Sequence, residues 1–523
     1  MKLRLQQLDL PPDYTPAQLV QTMARTLRCQ PAALSGVQVV RRSVDARGRS
    51  PRLTVAVDFT MAGPLPAGVR DVEPLELTPP VAARVISDYH GPRPLVVGAG
   101  PAGLMAAWGL AEAGLKPLLV ERGEAAAPRA RRVQAFWQDG LLDGESNLLY
   151  GEGGAGLFSD GKLTSRSKDR PRVRRFLEAL VTCGASPEIL IDAEPHVGSD
   201  VLELLVPAIR NRMIALGGEV RFGARLERLE IENQTVRGAV ISGEALRTDC
   251  CVLATGHSAR DCYAMLLEQG VPLEAKPFAI GLRLELPQHR IDTAQWGGSF
   301  PALGRASFRL TRREEAHARA CYSFCMCPGG LVMACASAAG FLTTNGMSLS
   351  QRDKPMGNAA FLVPVFPADY PAVAQKAWAG IAFQEKLEAA AFALGGSNYT
   401  LPAQRLVDFL EGASPAELPA ARSCQRARPA QLRGLLPAWA EATLRLAVPK
   451  MLRSLRGVVL EEALLYAAET RSSSPVRVVR GEDGQSIGIR GLYPCGEGAG
   501  YAGGIVSSGV DGLRISEAIV GAR

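Results

Sequence analysis

The chain has 523 residues, 47% hydrophobic and 21% charged, with a formal net charge of +7; that length holds two or three domains, and the composition is ordinary for a soluble globular protein. The modest positive charge suits anionic cofactors without arguing for nucleic acid, and no apolar run reaches the ~18 residues of a spanning helix. The first residues lack an export signal, and eleven scattered cysteines form no disulfide framework, so they read as reduced thiols of a cytoplasmic protein.

Residues 1–85 read as a small α+β domain. A strand is expected over 3–8. Thr15-Pro16-Ala17-Gln18 is a capping box with proline at the first helical position, opening a helix to about residue 27. Segments 37–40 and 53–59 alternate as strands around a polar turn at 45–48. Arg41, Arg42, Arg47, Arg49 and Arg52 fall here, as a solvated hairpin edge or as a docking face for an acidic partner or RNA. Residues 64–94 are proline-rich and read partly as a linker.

The most telling stretch is 94–123, PLVVGAGPAGLMAAWGLAEAGLKPLLVERG. A short apolar strand, 95–97, runs into Gly98-Ala99-Gly100-Pro101-Ala102-Gly103. A helix over 104–113 and a second strand over 117–120 follow, closed by Glu121 and Arg122. This is the first βαβ unit of a dinucleotide-binding domain. Gly98 allows the turn, Gly100 lets backbone approach a pyrophosphate, and Gly103 lets helix and strand pack. The helix that starts at Pro101 offers partial positive charge and, from Ala102 on, free N–H groups to phosphates. Glu121, 18 positions after Gly103, is placed to accept from a ribose diol. The alternative is a glycine-rich turn with no ligand.

A second glycine-rich stretch, 150–163, lets backbone pass close to a flat ligand. Gly154 and Gly156 give the close approach; Ser159, Asp160 and Lys162 are its polar anchors. A plain surface loop is the competing reading. A helix over 202–216 precedes strands at 219–222, 224–231 and 236–241, and Leu226 joins the candidate cofactor contacts. Residues 247–253 lead into Ala254-Thr255-Gly256-His257, where Thr255 and Gly256 face the pyrophosphate side. At the C-terminus, Gly496 and Glu497 end a strand and are placed to hold a ribityl chain. Gly503, Gly504 and Ile505 precede a last helix, 508–520, whose positive end is aimed at a flavin N1/C2=O edge.

These three segments, at 96–122, 150–163 and 495–510, have the layout of the glutathione-reductase-type FAD fold. The chain resembles, over nearly its full length, the bacterial FAD-dependent dehydrogenases called NAD(FAD)-utilising dehydrogenases, whose substrates are largely unassigned. The residues that carry the resemblance are 98–103, GEGGAGLFSDGKL at 151–163, ATGHSAR at 254–260, KPFAIG at 276–281, FCMCPGG at 324–330, NGMS at 345–348 and 496–514. The fold implied is α/β: a Rossmann-like FAD-binding domain (91–265 and 471–523), an inserted α+β substrate domain (266–470) and the N-terminal α+β domain.

No second strand–GxGxxG–helix unit is present, which argues against a separate NAD(P)H domain and leaves a transiently docking nicotinamide. No CxxC or iron–sulfur spacing appears, and no metal site is expected. Residues 276–285 alternate like a strand. Cys325 and Cys327 abut a Pro-Gly-Gly turn; a disulfide between them closes a strained small ring. They are either small hydrophobes on a core strand or thiols facing the flavin. His257 is a candidate general base or a backbone-bonding residue beside the cofactor. The basic runs 129–132 and 166–175 read as solvated surface, with phosphate or substrate neutralisation as the alternative. The expected activity is an FAD-dependent oxidoreductase passing hydride to or from flavin N5, with Cys325, Cys327 and His257 as its catalytic candidates. The reaction partner is a small-molecule substrate or electron acceptor. A flavin monooxygenase and a non-catalytic FAD-binding redox sensor or docking module are the competing functions.

Overall fold

The computed structural model describes the whole chain except residues 49, 76–83, 88, 166, 299, 315–318, 372–375 and 416. Arg49, Arg166 and part of the linker at 64–94 therefore lie outside the described residues. The N-terminal unit is a four-stranded antiparallel sheet, ordered Leu34–Asp45, Arg52–Met61, Lys2–Leu10, Val72–Pro74, and packed under the helix Pro16–Leu27. The capping box forms as expected: Gln18 N donates to Thr15 Oγ1, and Thr15 N donates to Gln18 Oε1. Leu3, Leu5, Leu8 and Leu10 all point inward, although strict alternation would turn 8 and 10 outward. A bulge between Leu5 and Leu8 resets the alternation. The linker reading at 64–94 is corrected in part, since Val72–Pro74 extends this sheet.

The second unit is a five-stranded parallel sheet, ordered Leu492–Pro494, Cys251–Leu253, Leu95–Val97, Leu118–Glu121, Glu219–Phe222. Four of its strands are short, largely apolar runs buried on both sides, as parallel sheets require, while the edge strand Glu219–Phe222 is half-buried. Val96, Leu119 and Val252 face the helices Pro101–Glu112, Ser199–Ala215 and Ile505–Ala522. Leu95, Val97, Leu118, Val120 and Leu253 face a three-stranded antiparallel sheet (226–247) and the helix Arg260–Glu268. The last helix begins three residues earlier than the sequence pattern indicates, at Ile505.

The third unit is a seven-stranded sheet, ordered Thr311–Glu314, Arg319–Cys327, Met356–Val365, Phe278–Pro287, Leu464–Glu469, Leu401–Arg405, Ala427–Pro429. The expected alternation at 276–285 is corrected: Phe278–Leu286 is buried on both faces. Ile280, Leu282 and Leu284 pack under the helix Ala438–Leu452. Arg283 and Glu285 are buried too, and form polar bonds described below. A ribbon of Leu273–Ala275 against Val476–Val478 joins this unit to the parallel sheet.

Candidate functional site

The glycine segments meet at the start of the helix Pro101–Glu112. Gly98 has φ +101, and a Cβ there would collide with Ala254 O; a Cβ on Gly103 would collide with Gly98 O. Both positions therefore need glycine for the strand–turn–helix to close. Gly153 N donates to Ala99 O (2.8 Å), and a Cβ on Gly154 would lie 3.2 Å from Gly100 Cα. A Cβ on Gly156 would lie 3.2 Å from Ile505 and 3.6 Å from Pro101, so the two helix starts share one end. Neither helix has a side-chain cap, because Gly100 and Gly504 occupy the N-cap positions. Their first N–H groups are left for an anion. Cβ atoms on Gly256, Gly503 and Gly504 would meet nothing within 4 Å, so these three border open space. This cradle fits a dinucleotide.

Glu121 is 6% exposed and accepts from Ala99 N (2.8 Å), Gly123 N (2.9 Å) and Gly151 N (2.9 Å). The carboxylate thus knots the first turn to the second glycine loop. Arg122 pairs with Glu145 and Asp261 and lies over the Tyr150 ring. Ser159 donates to Gly156 O, Asp160 pairs with Arg352 (2.5 Å), and Lys162 donates to Met326 O. These anchors are spent on holding the loop and joining it to the cysteine strand. Leu226 is buried in the core below the sheet, Thr255 lies in the turn after Leu253, and Gly496 packs against Ala102.

The solvated reading of the basic runs holds for Arg131, Arg132, Lys168, Arg170 and Arg174, which are exposed, and is corrected for Arg129, Arg172 and Arg175. Arg129 is fully buried and donates to the carbonyls of Asn147, Leu148, Gly151 and Glu152. Arg172 and Arg175 pair with Asp169, Glu517 and Glu112, stapling three helices. Arg42 pairs with Glu188 and Asp192 while its backbone bonds Ile191 and Ala193, so it is a seam between units.

The remaining candidates gather beside the cradle. Glu497 Oε1 lies 3.6 Å from His257 Nδ1. Burial pushes the Glu497 carboxyl up to about 7, against the pull of Lys276, and Cys325 is near enough to add to the rise. Burial pushes His257 down to about 4, helped by Arg471 and Arg260, so the imidazole is neutral at physiological pH. Its Nε2 is buried without a hydrogen-bond partner. Glu388, fully buried, accepts from Arg471 (2.7 and 2.9 Å) and Arg260 (3.0 Å); burial alone would raise it, but the two arginines hold it at about 2. Arg283, also fully buried, donates to Glu469 (2.9 and 3.0 Å), Asn358 (2.8 Å) and Cys325 O (3.4 Å). Among the described residues no group of three His, Cys, Asp or Glu is arranged for a metal ion, and no helix is long and apolar enough to cross a membrane.

Comparison with known proteins decides the family. Residues 277–472 match the model "FAD-dependent protein, C-terminal domain-like", and residues 96–160 match an NAD(P)-binding Rossmann-like domain. A Clostridium beijerinckii protein, described as an uncharacterized protein, is 38% identical over 99% of both chains. The chain belongs to this family of FAD-dependent proteins. The flavoprotein's residues 2–60 match a domain of unknown function (DUF8436). A thiamine thiazole synthase from Aeropyrum pernix is 29% identical over 32% of this chain and 54% of its own. Among solved structures, glycine oxidase from Bacillus cereus aligns over 83% of this chain and 96% of its own, at 12% identity and TM-score 0.33.

Sequence reasoning missed Lys276, Arg283, Arg260, Arg471 and Glu388 around the flavoprotein's candidate site. Lys276 and Arg260 lay at the ends of quoted motifs, KPFAIG and ATGHSAR. Arg283 and Glu285 carried a signal in a charged pair inside a strand otherwise apolar throughout.

Proposed function

We propose that this flavoprotein is a cytoplasmic dehydrogenase of the NAD(FAD)-utilising type, acting on a small molecule at a site beside Glu497, His257 and Cys325. FAD, when bound, supplies the two-electron chemistry through N5. The chain supplies position and charge. The uncapped helix starts at Ala102 and Ile505 hold the pyrophosphate and the N1/C2=O edge. Glu497 holds the ribityl chain and, with its carboxyl near 7, is matched to proton exchange at neutral pH. His257 stays neutral and serves as a hydrogen-bonding group. A nicotinamide, if it is the reductant, docks transiently. The observation that carries the reading is the convergence of the glycine segments with two uncapped helix starts at one end of the parallel sheet, with Gly256, Gly503 and Gly504 open beside them.

The test begins with flavin content: purified protein should hold about one FAD per chain. Gly100→Val is the sharpest probe. A Cβ at Gly100 meets only Gly154 Cα, at an ordinary 3.9 Å, so the variant should fold while its side chain blocks the pyrophosphate. Glu497→Ala should weaken FAD binding by about 1–3 kcal/mol. Anaerobic titration with NADH, NADPH and small organic reductants should bleach the flavin. A folded wild-type protein that takes up no FAD overturns the cofactor reading. Bound flavin that no reductant bleaches overturns the dehydrogenase.

A further inference from the structure

The strand Arg319–Cys327 is not regular at its end. Its register against Met356–Val365 slips between Phe324 and Cys327, and Cys325 sits at φ +43, unusual for a side chain with a Cβ. Residues two apart on a regular strand are separated by about 6.6 Å, at the upper limit for a disulfide. The slip and the left-handed residue shorten that path. The Cys327 thiol donates to Cys325 O (3.3 Å), which folds its sulfur back toward Cys325. The two thiols differ in access: Cys325 is partly exposed and Cys327 is buried.

The surroundings favour a thiolate at the exposed position. Arg283 donates to Cys325 O, and the Lys162 ammonium donates to Met326 O between the two cysteines. Two cations thus fix the backbone around Cys325, with Glu469, Asp160 and Glu497 as the carboxylates around them. Cys325 is held below the ordinary thiol range, first by the hydrogen bond from Cys327 and then by Arg283 and Lys162, while Cys327 is raised. Burial raises the other shifted cysteines, among them Cys251, Cys262, Cys335 and Cys495.

We propose that Cys325 and Cys327 form a redox-active dithiol that exchanges two electrons with small disulfides, Cys325 attacking and Cys327 resolving. The Cys325 thiolate attacks one sulfur of the incoming disulfide, forming a mixed disulfide and releasing one thiolate. Cys327 then gives up its proton and attacks the Cys325 sulfur, closing the Cys325–Cys327 bond and releasing the second thiolate. The small disulfide gains two electrons and leaves as two thiols; the cysteine pair loses two electrons and two protons. The reverse sequence lets a small thiol re-reduce the pair. This chemistry needs no flavin, so it stands or falls apart from the cofactor reading, although its place beside Glu497 would let the two redox groups serve one substrate.

The experiment uses the full-length protein as purified, with Cys29→Ser and Cys183→Ser, which removes the other partly exposed thiols, and oxidised glutathione as the probe. Intact mass should fall by two hydrogens with no adduct, peptide mapping should place the link at 325–327, and dithiothreitol should reverse it. Adding Cys327→Ser should leave one stable glutathione adduct on Cys325. Adding Cys325→Ser should leave neither link nor adduct. No mass change in the parent protein overturns the proposal, as does an adduct that persists while Cys327 is present, or one that forms on Cys327. Should the Cys327→Ser chain fail to fold, the parent mass and map decide. Flavin per chain is read from the same samples: thiol exchange without bound FAD would sink the cofactor reading and leave the dithiol standing.

Discussion

The parallel five-stranded unit and the seven-stranded sheet both place polar groups inside a buried core, but they build those places differently. In the parallel unit, shape comes from missing side chains: Gly98, Gly103 and Gly154 let strand, helix and loop approach until backbone meets backbone, and Gly156 lets the loop press against Ile505 and Pro101. In the seven-stranded sheet and along its border with the parallel unit, the polar places are made of charge. Arg283 faces Glu469, Glu388 binds Arg260 and Arg471, and Glu285 accepts from the Ser423 amide (3.1 Å) and the Tyr466 hydroxyl (3.0 Å). The first kind of site is written in short segments, each of which carries its glycines within a few residues of one another. The second pairs residues 83, 128 and 186 positions apart. A cavity made by glycine fails by filling; a cluster made of charges fails by losing one member.

The charged sheet should therefore break hardest. Arg283→Met leaves Glu469 buried and unpaired and should cost about 3–5 kcal/mol in urea unfolding. Arg283→Met with Glu469→Leu should recover much of that loss, and if the double variant is no better than the single, the pair is not the source of the cost.

The junction of the two regions gives a pH signature. His257 has its pKa depressed from 6.5 to about 4, so its share of stability is present above 6.5 and is lost as pH falls toward 4. Glu497 is raised from 4.5 to about 7, so its share is present below 4.5 and is lost as pH rises toward 7. The windows overlap with opposite sign, and the wild-type chain should be nearly flat there. His257→Gln should leave stability falling with rising pH, and Glu497→Gln should leave it rising, each by up to about 3 kcal/mol across its window. Denaturant midpoints from pH 4 to 7.5 check this; two variants with the same slope would break the assignment.

On the glycine side, Gly103→Ala drives a Cβ into Gly98 O and should cost about 1–3 kcal/mol together with FAD retention. Gly100→Val should lose FAD at almost no cost in stability. Comparing thermal unfolding with flavin absorbance for the two variants separates a structural glycine from a ligand-facing one. The smallest effect lies outside both regions: Thr15→Ala removes the cap of the first helix and should cost about 1 kcal/mol, read by urea unfolding of the full chain.

The legibility of the chain follows the same division. The βαβ unit, the capping box and the C-terminal glycine helix could be read because each is written in a few consecutive residues. Four of the five parallel strands are apolar runs beside glycine turns and could be read as such; the edge strand Glu219–Phe222 is half-buried, and the C-terminal strand ends at Pro494, leaving Gly496 and Glu497 in the turn that follows. Arg129 could not be read, because a cation among Arg131 and Arg132 looks like surface, and only the fold brings four carbonyls to it. The both-faces-buried strand 278–287 was mistaken for a half-exposed one, since Arg283 and Glu285 mimic a solvent face while being sealed under other elements. The proximity of Cys325 to Glu497 could not be computed from spacing either.

Arg129 also bears on how the flavoprotein meets its cofactor. With its guanidinium gathering four carbonyls of 147–152, and with Glu121 and Ala99 taking the amides of Gly151 and Gly153, the second glycine loop has little conformational freedom left to surrender. Fixing a residue costs roughly 1–2 kcal/mol of entropy, and here that cost is met when the chain folds. Affinity for the cofactor is then not diminished by ordering the loop. Stripped of flavin, the protein should keep its cradle in shape and take the cofactor back from solution as a mould does, without refolding around it.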